Sequence, residues 1–363
     1  MFKQVLKGYS FLNQAKSIGS RSYATVSSGS ELTNILHGSR TQTTGIVATV
    51  FGATGFTGRY IVQLLARTGI QVVIPFRGEE GSYRDLKVLG ELGQVIPVRY
   101  DIRNEESIER AISHSNIVIN MIGRQYETRN FSFEDIHIDG AERIAQIARN
   151  ANIEKYIHVS ALNASEDSSS EFARTKAIGE KKTREIIPHC TVVRPSLIFG
   201  DEDKLITKWS KITQFWPFIP RFYQDKKFQP LHSFDLASAI LAILELPNTN
   251  GKVYELAGDE VFTWEQFLNM VIEGTAQYDK PNIPVSPKFM ENVGQFLEYA
   301  SRDPPFIKDE VKYHNQDFLV SPDALTLKDL KVKPTPIQEK LIRLSRMHRP
   351  SKFFNAIANP QQK

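Results

Sequence analysis

The sequence predicts an α/β protein: a doubly wound parallel Rossmann sheet with a smaller, mostly helical C-terminal part. Three observations predict it. Strand-like and helix-like segments alternate from about residue 44 to residue 200, the strand segments are near-continuous Val/Ile runs, and a glycine-rich turn follows the first of them. Alternation with short links demands parallel strands, because each crossover returns right-handed over one sheet face. Continuous rather than alternating apolar runs fit strands covered on both faces.

The elements follow in order. "GIVATVFGATG" is a β-branched strand running into glycines, and "TGRYIVQLLARTG" places Tyr60, Ile61, Leu64 and Leu65 at helical spacing before Gly69. "IQVVIPFR" and "QVIPVRYD" read as the second and third strands, "EESIERAISHS" as a helix and "NIVINMIG" as the fourth strand. "FEDIHIDGAERIAQIARNAN" is a long amphipathic helix, "KYIHVSA" the fifth strand, "EFARTKAIGEKKTREII" a helix and "CTVVRP" the sixth strand.

From about Asp201 the rhythm breaks into "KWSKITQFWPFIPRFYQDKKFQP", which is aromatic, basic and interrupted by proline. A clear helix, "HSFDLASAILAILELP", and a strand, "GKVYELAG", then return to the core. "TWEQFLNMVIEGTA", "PKFMENVGQFLEYASR" and the basic "TPIQEKLIRLSRMH" read as C-terminal helices. The expected organisation is a nucleotide-binding domain over 44–200, rejoined by 228–257, with 201–227 and 258–363 forming the smaller part and tail. No internal repeat is present.

Residues 1–30 carry Lys3, Lys7, Lys16 and Arg21 but no acid, and mix serines with Phe2, Val5, Leu6, Phe11 and Leu12. That composition predicts a cleaved mitochondrial targeting peptide over 1–23, followed by a polar leader over 24–43; a disordered basic tail is the plainer alternative. Of the 363 residues, 45 are basic and 41 acidic. Loss of 1–23 leaves 41 of each, a neutral protein, which disfavours general nucleic-acid binding. No apolar run is long enough to span a membrane. A lone cysteine, Cys190, excludes an intramolecular disulfide, and eight histidines without ligand spacing suggest no metal site.

"VFGATGFTGRY" holds the clearest chemistry. Gly52, Gly55 and Gly58, with Ala53, Thr54, Phe56 and Thr57 between them, stand after a strand and open a helix. In that context glycines give a tight turn, close approach to a pyrophosphate and close helix–strand contact, while the helix start favours the anion. The second strand ends at Arg77, where an NAD-selective site would carry a carboxylate; a cation there pairs with a 2′-phosphate and predicts NADPH. Arg59 stands ready to assist, and a solvated loop charge is the alternative for Arg77. Asp101, beside Ile102, is expected at the adenine edge; Gly123, after Ile122, leaves room for the cofactor's middle.

With "GATGFTG", "YD" after the third strand, "NMIG", "HVSALNAS", a YxxxK-like segment and "VVRPSLIFG", residues 44 to 260 resemble the extended and atypical short-chain dehydrogenases. The targeting segment and "SALNASEDSSSEFARTKAIGEKKTRE" make the chain similar, within them, to the family of nucleotide-binding accessory subunits of mitochondrial complex I (NADH:ubiquinone oxidoreductase). The first resemblance implies a serine, tyrosine and lysine that transfer a proton while hydride moves at the nicotinamide. Ser160 matches the serine and Lys176 the lysine, but the tyrosine position is Phe172. Without a phenol, carbonyl reduction would lose a general acid worth ~10²–10⁴ in rate. Tyr126 is the candidate substitute. Pro195, in "VVRP", completes the expected cofactor contacts.

The resemblance therefore implies a non-catalytic accessory subunit holding a tightly bound, structural NADPH among the other subunits of complex I, peripheral on the matrix side of the mitochondrial inner membrane. An active mitochondrial NADP-dependent reductase with a relocated acid, a free NADPH binder and a lipid-surface protein remain open beside it. The stretch Trp209–Tyr223, with interleaved Trp, Phe and Lys, suits lipid contact or a protein interface; packing of the smaller part's own core is the plain alternative. "SPDALTLKDLKVKPTPIQEKLIR" resembles the segment that closes over substrate in sugar-nucleotide relatives.

Overall fold

A computed structural model describes residues 44–300 and 304–350. The expected targeting peptide and leader lie outside the described residues, as does the end of the tail.

Seven strands form one parallel sheet: β1 (Val47–Phe51), β2 (Gln71–Phe76), β3 (Val95–Arg99), β4 (Ile117–Asn120), β5 (Lys155–Val159), β6 (Thr191–Pro195) and β7 (Val253–Leu256). Their order is β7-β6-β5-β4-β1-β2-β3, with every pairing parallel. The order reverses between β1 and β4, so the loops beyond the carboxyl ends of those strands part and leave a crevice. The fold is the expected doubly wound sheet, extended by the late strand β7.

Helices cover both faces. α1 (Phe56–Arg67) turns Ile61, Val62, Leu64 and Leu65 inward and packs against α7 (Ser233–Glu245), whose Leu236, Ile240 and Ile243 share the same core. The α2 turn (Arg84–Lys87) adds Leu86 to that side. On the other face lie α3 (Glu105–Ile112), α4 (Gly140–Asn150) and α5 (Glu171–Ile186), around buried Ile108, Ile144, Ala148 and Tyr156. Asn104 accepts the Ser107 N–H at the start of α3 and Ser170 the Ala173 N–H at the start of α5, satisfying donors the first turns leave open. Lys155, buried within β5, donates Nζ to the Ile243 and Leu244 carbonyls at the end of α7, satisfying acceptors that α7 cannot bond internally.

The smaller part is formed by α6 (Ile206–Phe215), α8 (Trp264–Thr275), α9 (Pro287–Ala300), α10 (Lys308–Tyr313) and α11 (Ile337–Ser345), with short ladders pairing 219–221 with 282–284 and 227–228 with 262–263. Its core is aromatic: Trp209, Phe222, Phe228, Trp264, Phe267, Phe306 and Phe318. Lys208 and Glu310 form a half-buried ion pair at 2.5 Å that ties α6 to α10. The lipid reading of Trp209–Tyr223 is thereby corrected in its anchors. Trp209 and Phe222 are buried, Trp216 packs edge-on against Phe306, and Phe215 is the ring left largely exposed, at 73%. The stretch is rich in rings because a helix and a strand there supply this second core. The C-terminal segment is corrected too. Leu325 bridges to Tyr254 of β7, and Leu327 and Leu330 join the main-sheet core, so the segment flanks the sheet edge instead of closing over the crevice.

Among the described residues no helix is long and apolar enough to cross a membrane, and no group of His, Cys, Asp or Glu is placed to hold a metal ion.

Candidate functional site

The crevice begins at the glycine turn. Gly52 has φ +83°, a left-handed conformation that glycine adopts without strain, and a Cβ there would lie 3.0 Å from the Met121 carbonyl oxygen. The Gly55 N–H closes the turn on the Gly52 carbonyl at 3.0 Å. At Gly58 a Cβ would meet the Ala53 backbone within 2.4 Å, so glycine is what lets α1 lie against the exit of β1. α1 starts with no side-chain cap and no acid in its first turn. Its first N–H groups and positive dipole end are thus left for an anion.

A cleft of about 650 Å³ opens there, within the range of cofactor sites. Of the residues read from sequence, Gly52, Thr54, Gly55, Phe56, Thr57, Arg77, Ile102, Ile122 and Gly123 line it, as do Ser160, Phe172, Lys176, Pro195 and Tyr126. Ala53 and Gly58 lie beneath the turn, buried, and are not on the cleft wall. Asp101 is not on it either: exposed at the end of β3, it accepts the Arg103 N–H on Oδ1 in a local turn, while its neighbours Tyr100 and Ile102 face the cleft. Arg59 reaches across to Glu202 at 2.6 Å.

α5 approaches the cleft because of another glycine. A Cβ on Gly179 would sit 1.9 Å from the His137 carbonyl oxygen, in the π-turn Asp135–Asp139 that leads into α4. Without a side chain there, the two backbones touch, and α5 turns Phe172 and Lys176 inward. Lys176 is 5% exposed and donates Nζ to the Ile122 carbonyl at 3.0 Å and the Val159 carbonyl at 3.2 Å. Burial pulls its pKa down to about 8, with Glu180 opposing. His137 accepts the Arg124 N–H on Nε2 and meets the Thr175 hydroxyl through Nδ1 at 2.9 Å. Burial, with Lys176 nearby, holds this imidazole well below its usual pKa, so it is neutral with the proton on Nδ1.

Phe172 is the ring among these groups. It packs edge-on against His137 at 5.4 Å and Tyr313 at 5.2 Å, with Phe133 at 6.3 Å. Tyr313, at the end of α10, is a cleft-lining phenol that sequence reasoning missed, since nothing in the local sequence joins it to Phe172. Burial pushes its pKa above the usual tyrosine range. Tyr126 lies on the cleft wall between the cations of Arg124 and Lys204. Lys176 is bonded to two carbonyls and to neither phenol.

The residues fit a dinucleotide. The hydroxyls of Ser160 and Ser196 are buried in the cleft wall and bond no group among the described residues, so both can serve a ligand. The glycine turn and the uncapped α1 suit a pyrophosphate, Lys176 suits ribose hydroxyls, and Arg77 suits a phosphate beyond β2. When bound, such a cofactor would supply hydride chemistry; Phe172, which lines the cleft together with Ser160 and Lys176, has no ionisable group.

A family model described as NAD(P)H-binding matches residues 52–187. The chain is 68% identical, over the whole length of both, to "NADH dehydrogenase (ubiquinone) 1 alpha subcomplex subunit 9, mitochondrial" of Dictyostelium discoideum. It is 38% identical to "NADH-ubiquinone oxidoreductase 40 kDa subunit, mitochondrial" of Neurospora crassa, over 88% of this chain and 84% of that one. Among solved structures, a UDP-glucuronic acid 4-epimerase of Bacillus cereus superposes with a TM-score of 0.65 at 15% identity, covering 84% of this chain and 99% of that one, a likeness of fold alone.

Proposed function

Because the chain belongs to the family of mitochondrial NADH dehydrogenase (ubiquinone) 1 alpha subcomplex subunit 9, we propose that it is an accessory subunit of respiratory complex I that holds NADPH as a structural ligand and transfers no hydride of its own. The observation that carries the second half is Phe172. Its ring lines the cleft together with Lys176, edge-on to His137 and Tyr313, and carries no hydroxyl that could deliver a proton. Lys176, which would otherwise lower that phenol's pKa, is engaged by two backbone carbonyls.

A nucleotide bound only by the folded chain stabilises it by RT ln(1 + [L]/Kd), ~2.7 kcal/mol at a hundredfold excess over Kd. The cleft draws on β2, β5, β6, α1 and α5, on the loops after β1 and β4, and also on Tyr313 of the smaller part, so one ligand would brace both. Matrix-side, peripheral attachment to the inner membrane belongs to this reading; the relatives' names say mitochondrial, and among the described residues no helix is long and apolar enough to cross a membrane. The partners are then the other subunits of the complex.

A native gel of detergent-solubilised mitochondria, probed for this chain, tests the assignment. Migration with complex I, with NADPH recovered from the purified complex, is the expected result. Migration solely as a free small species would overturn it.

A reductase with a relocated acid is kept as a second reading because Tyr313 brings a phenol to within one ring contact of Phe172. Against it stand that phenol's raised pKa and the engagement of Lys176 elsewhere.

A further inference from the structure

Resting on the NADPH reading above, we propose that Arg103 and Phe131 join Arg77 to form the site that selects the cofactor's 2′-phosphate, with the Phe131 ring as the shared rest for both guanidinium groups.

The Arg77 guanidinium carbon lies 4.7 Å from the Phe131 ring centroid and that of Arg103 lies 4.2 Å from it. Together these distances place the two guanidinium carbons no more than about 9 Å apart, the outer limit at which one phosphate accepts charge-assisted hydrogen bonds from both. The arginines come from different elements: Arg77 follows β2, and Arg103 stands between β3 and α3. Stacking on a ring engages the face of a guanidinium and leaves the in-plane N–H edge for a planar or tetrahedral oxyanion. Arg103 spends part of that edge on the Asn130 carbonyl at 2.5 Å and more weakly on Asp135 at 3.3 Å, which leaves further donors among its five.

Phe131 is itself held. It exchanges backbone hydrogen bonds with Thr128 at 3.0 and 3.2 Å. The next residue, Ser132, trades two bonds with Asp135. The position is therefore built rather than left to a swinging loop. Of the acids nearby, Glu79, Glu80 and Asp101 form no ion pair with either arginine among the described residues; Asp101 accepts only the Arg103 backbone N–H, and Asp135 pairs with the Arg103 guanidinium. Arg77 lines the cleft directly. Arg59, the other cation near the glycine turn, is directed instead at Glu202.

The test uses the full chain, titrated calorimetrically with 2′,5′-ADP and with 5′-AMP, two fragments that differ in the 2′-phosphate. The parent should prefer 2′,5′-ADP by about a hundredfold. Arg103→Ala should cut that preference about tenfold, the size of one charge-assisted hydrogen bond, and Phe131→Leu severalfold, while AMP affinity stays as it was. An unchanged preference in Arg103→Ala would overturn the proposal and leave the NADPH reading standing. No preference in the parent would remove both. If Arg103→Ala also loses AMP, Arg103→Gln retains an amide donor for Asn130 and repeats the comparison: a reduced preference supports the site, and an unchanged one overturns it.

Discussion

The carboxylate of Asp309 caps the helix that carries Phe172. Its Oδ2 accepts the Phe172 N–H at 3.0 Å and the Ser170 hydroxyl at 2.7 Å, and its Oδ1 accepts the Glu171 N–H at 2.7 Å. A side chain from α10 thus satisfies the start of α5, joining the smaller part to the wall of the nucleotide cleft. A negative group is well placed there, because the first N–H groups of a helix and its dipole both favour it.

Asp309→Ala should therefore cost about 1–2 kcal/mol of stability, the usual cost of a lost cap, and should also weaken NADPH retention. Urea denaturation and the nucleotide content of the purified chain check the two halves. A stability loss with nucleotide content unchanged would mean that α10 braces the fold without reaching the cleft.

Gly179→Ala should be far more damaging than an ordinary helical Gly→Ala change. The new methyl would collide with the His137 carbonyl, so about 1–3 kcal/mol of overpacking cost replaces the usual gain in helix propensity. Gly81→Ala, with open space around its added methyl, should stay within about 0.5 kcal/mol. Melting curves of the two variants decide this, and equal behaviour would contradict the close backbone contact.

Much of this is legible in the sequence and some is not. The β-branched runs and the glycine turn reveal the sheet and part of the cleft wall, because a parallel strand and a phosphate-binding turn both write their needs into adjacent residues. α6 is hidden although Ile206, Trp209 and Thr213 recur at helical spacing, since Pro217 and the surrounding rings obscure its period. Asp101 looks suited to the adenine edge, but its carboxylate has a nearer partner in the Arg103 N–H. Asp309 and Tyr313 act on a helix that lies far back in the chain. No local pattern encodes a contact of that range, so neither can be found from sequence alone.

Lys176 gives a pH dependence. Its pKa falls from 10.5 to about 8 on folding, chiefly through burial, so between those values the unfolded chain binds more protons than the folded one. Stability therefore rises with pH across that window, by up to about 1.4 kcal/mol per pH unit for this group. Lys155, drawn down to about 8 by burial as well, adds a rise of the same sign. In Lys176→Met, measured without nucleotide, the Lys176 share of the rise should vanish, so the variant's stability relative to the parent should decline as pH rises from about 8 towards 10.5. A constant difference across that range would show that the ammonium is not desolvated as described.

The central claim is that the nucleotide is held and not turned over. The most direct measurement is to purify the complex with its NADPH bound, add a panel of ketones, aldehydes and quinones, and assay the nucleotide recovered from this subunit. The account predicts reduced NADPH recovered in full, with no oxidation beyond that of a sample without substrate. Multiple turnovers on any of these substrates, abolished by Tyr313→Phe or Ser160→Ala, would contradict it.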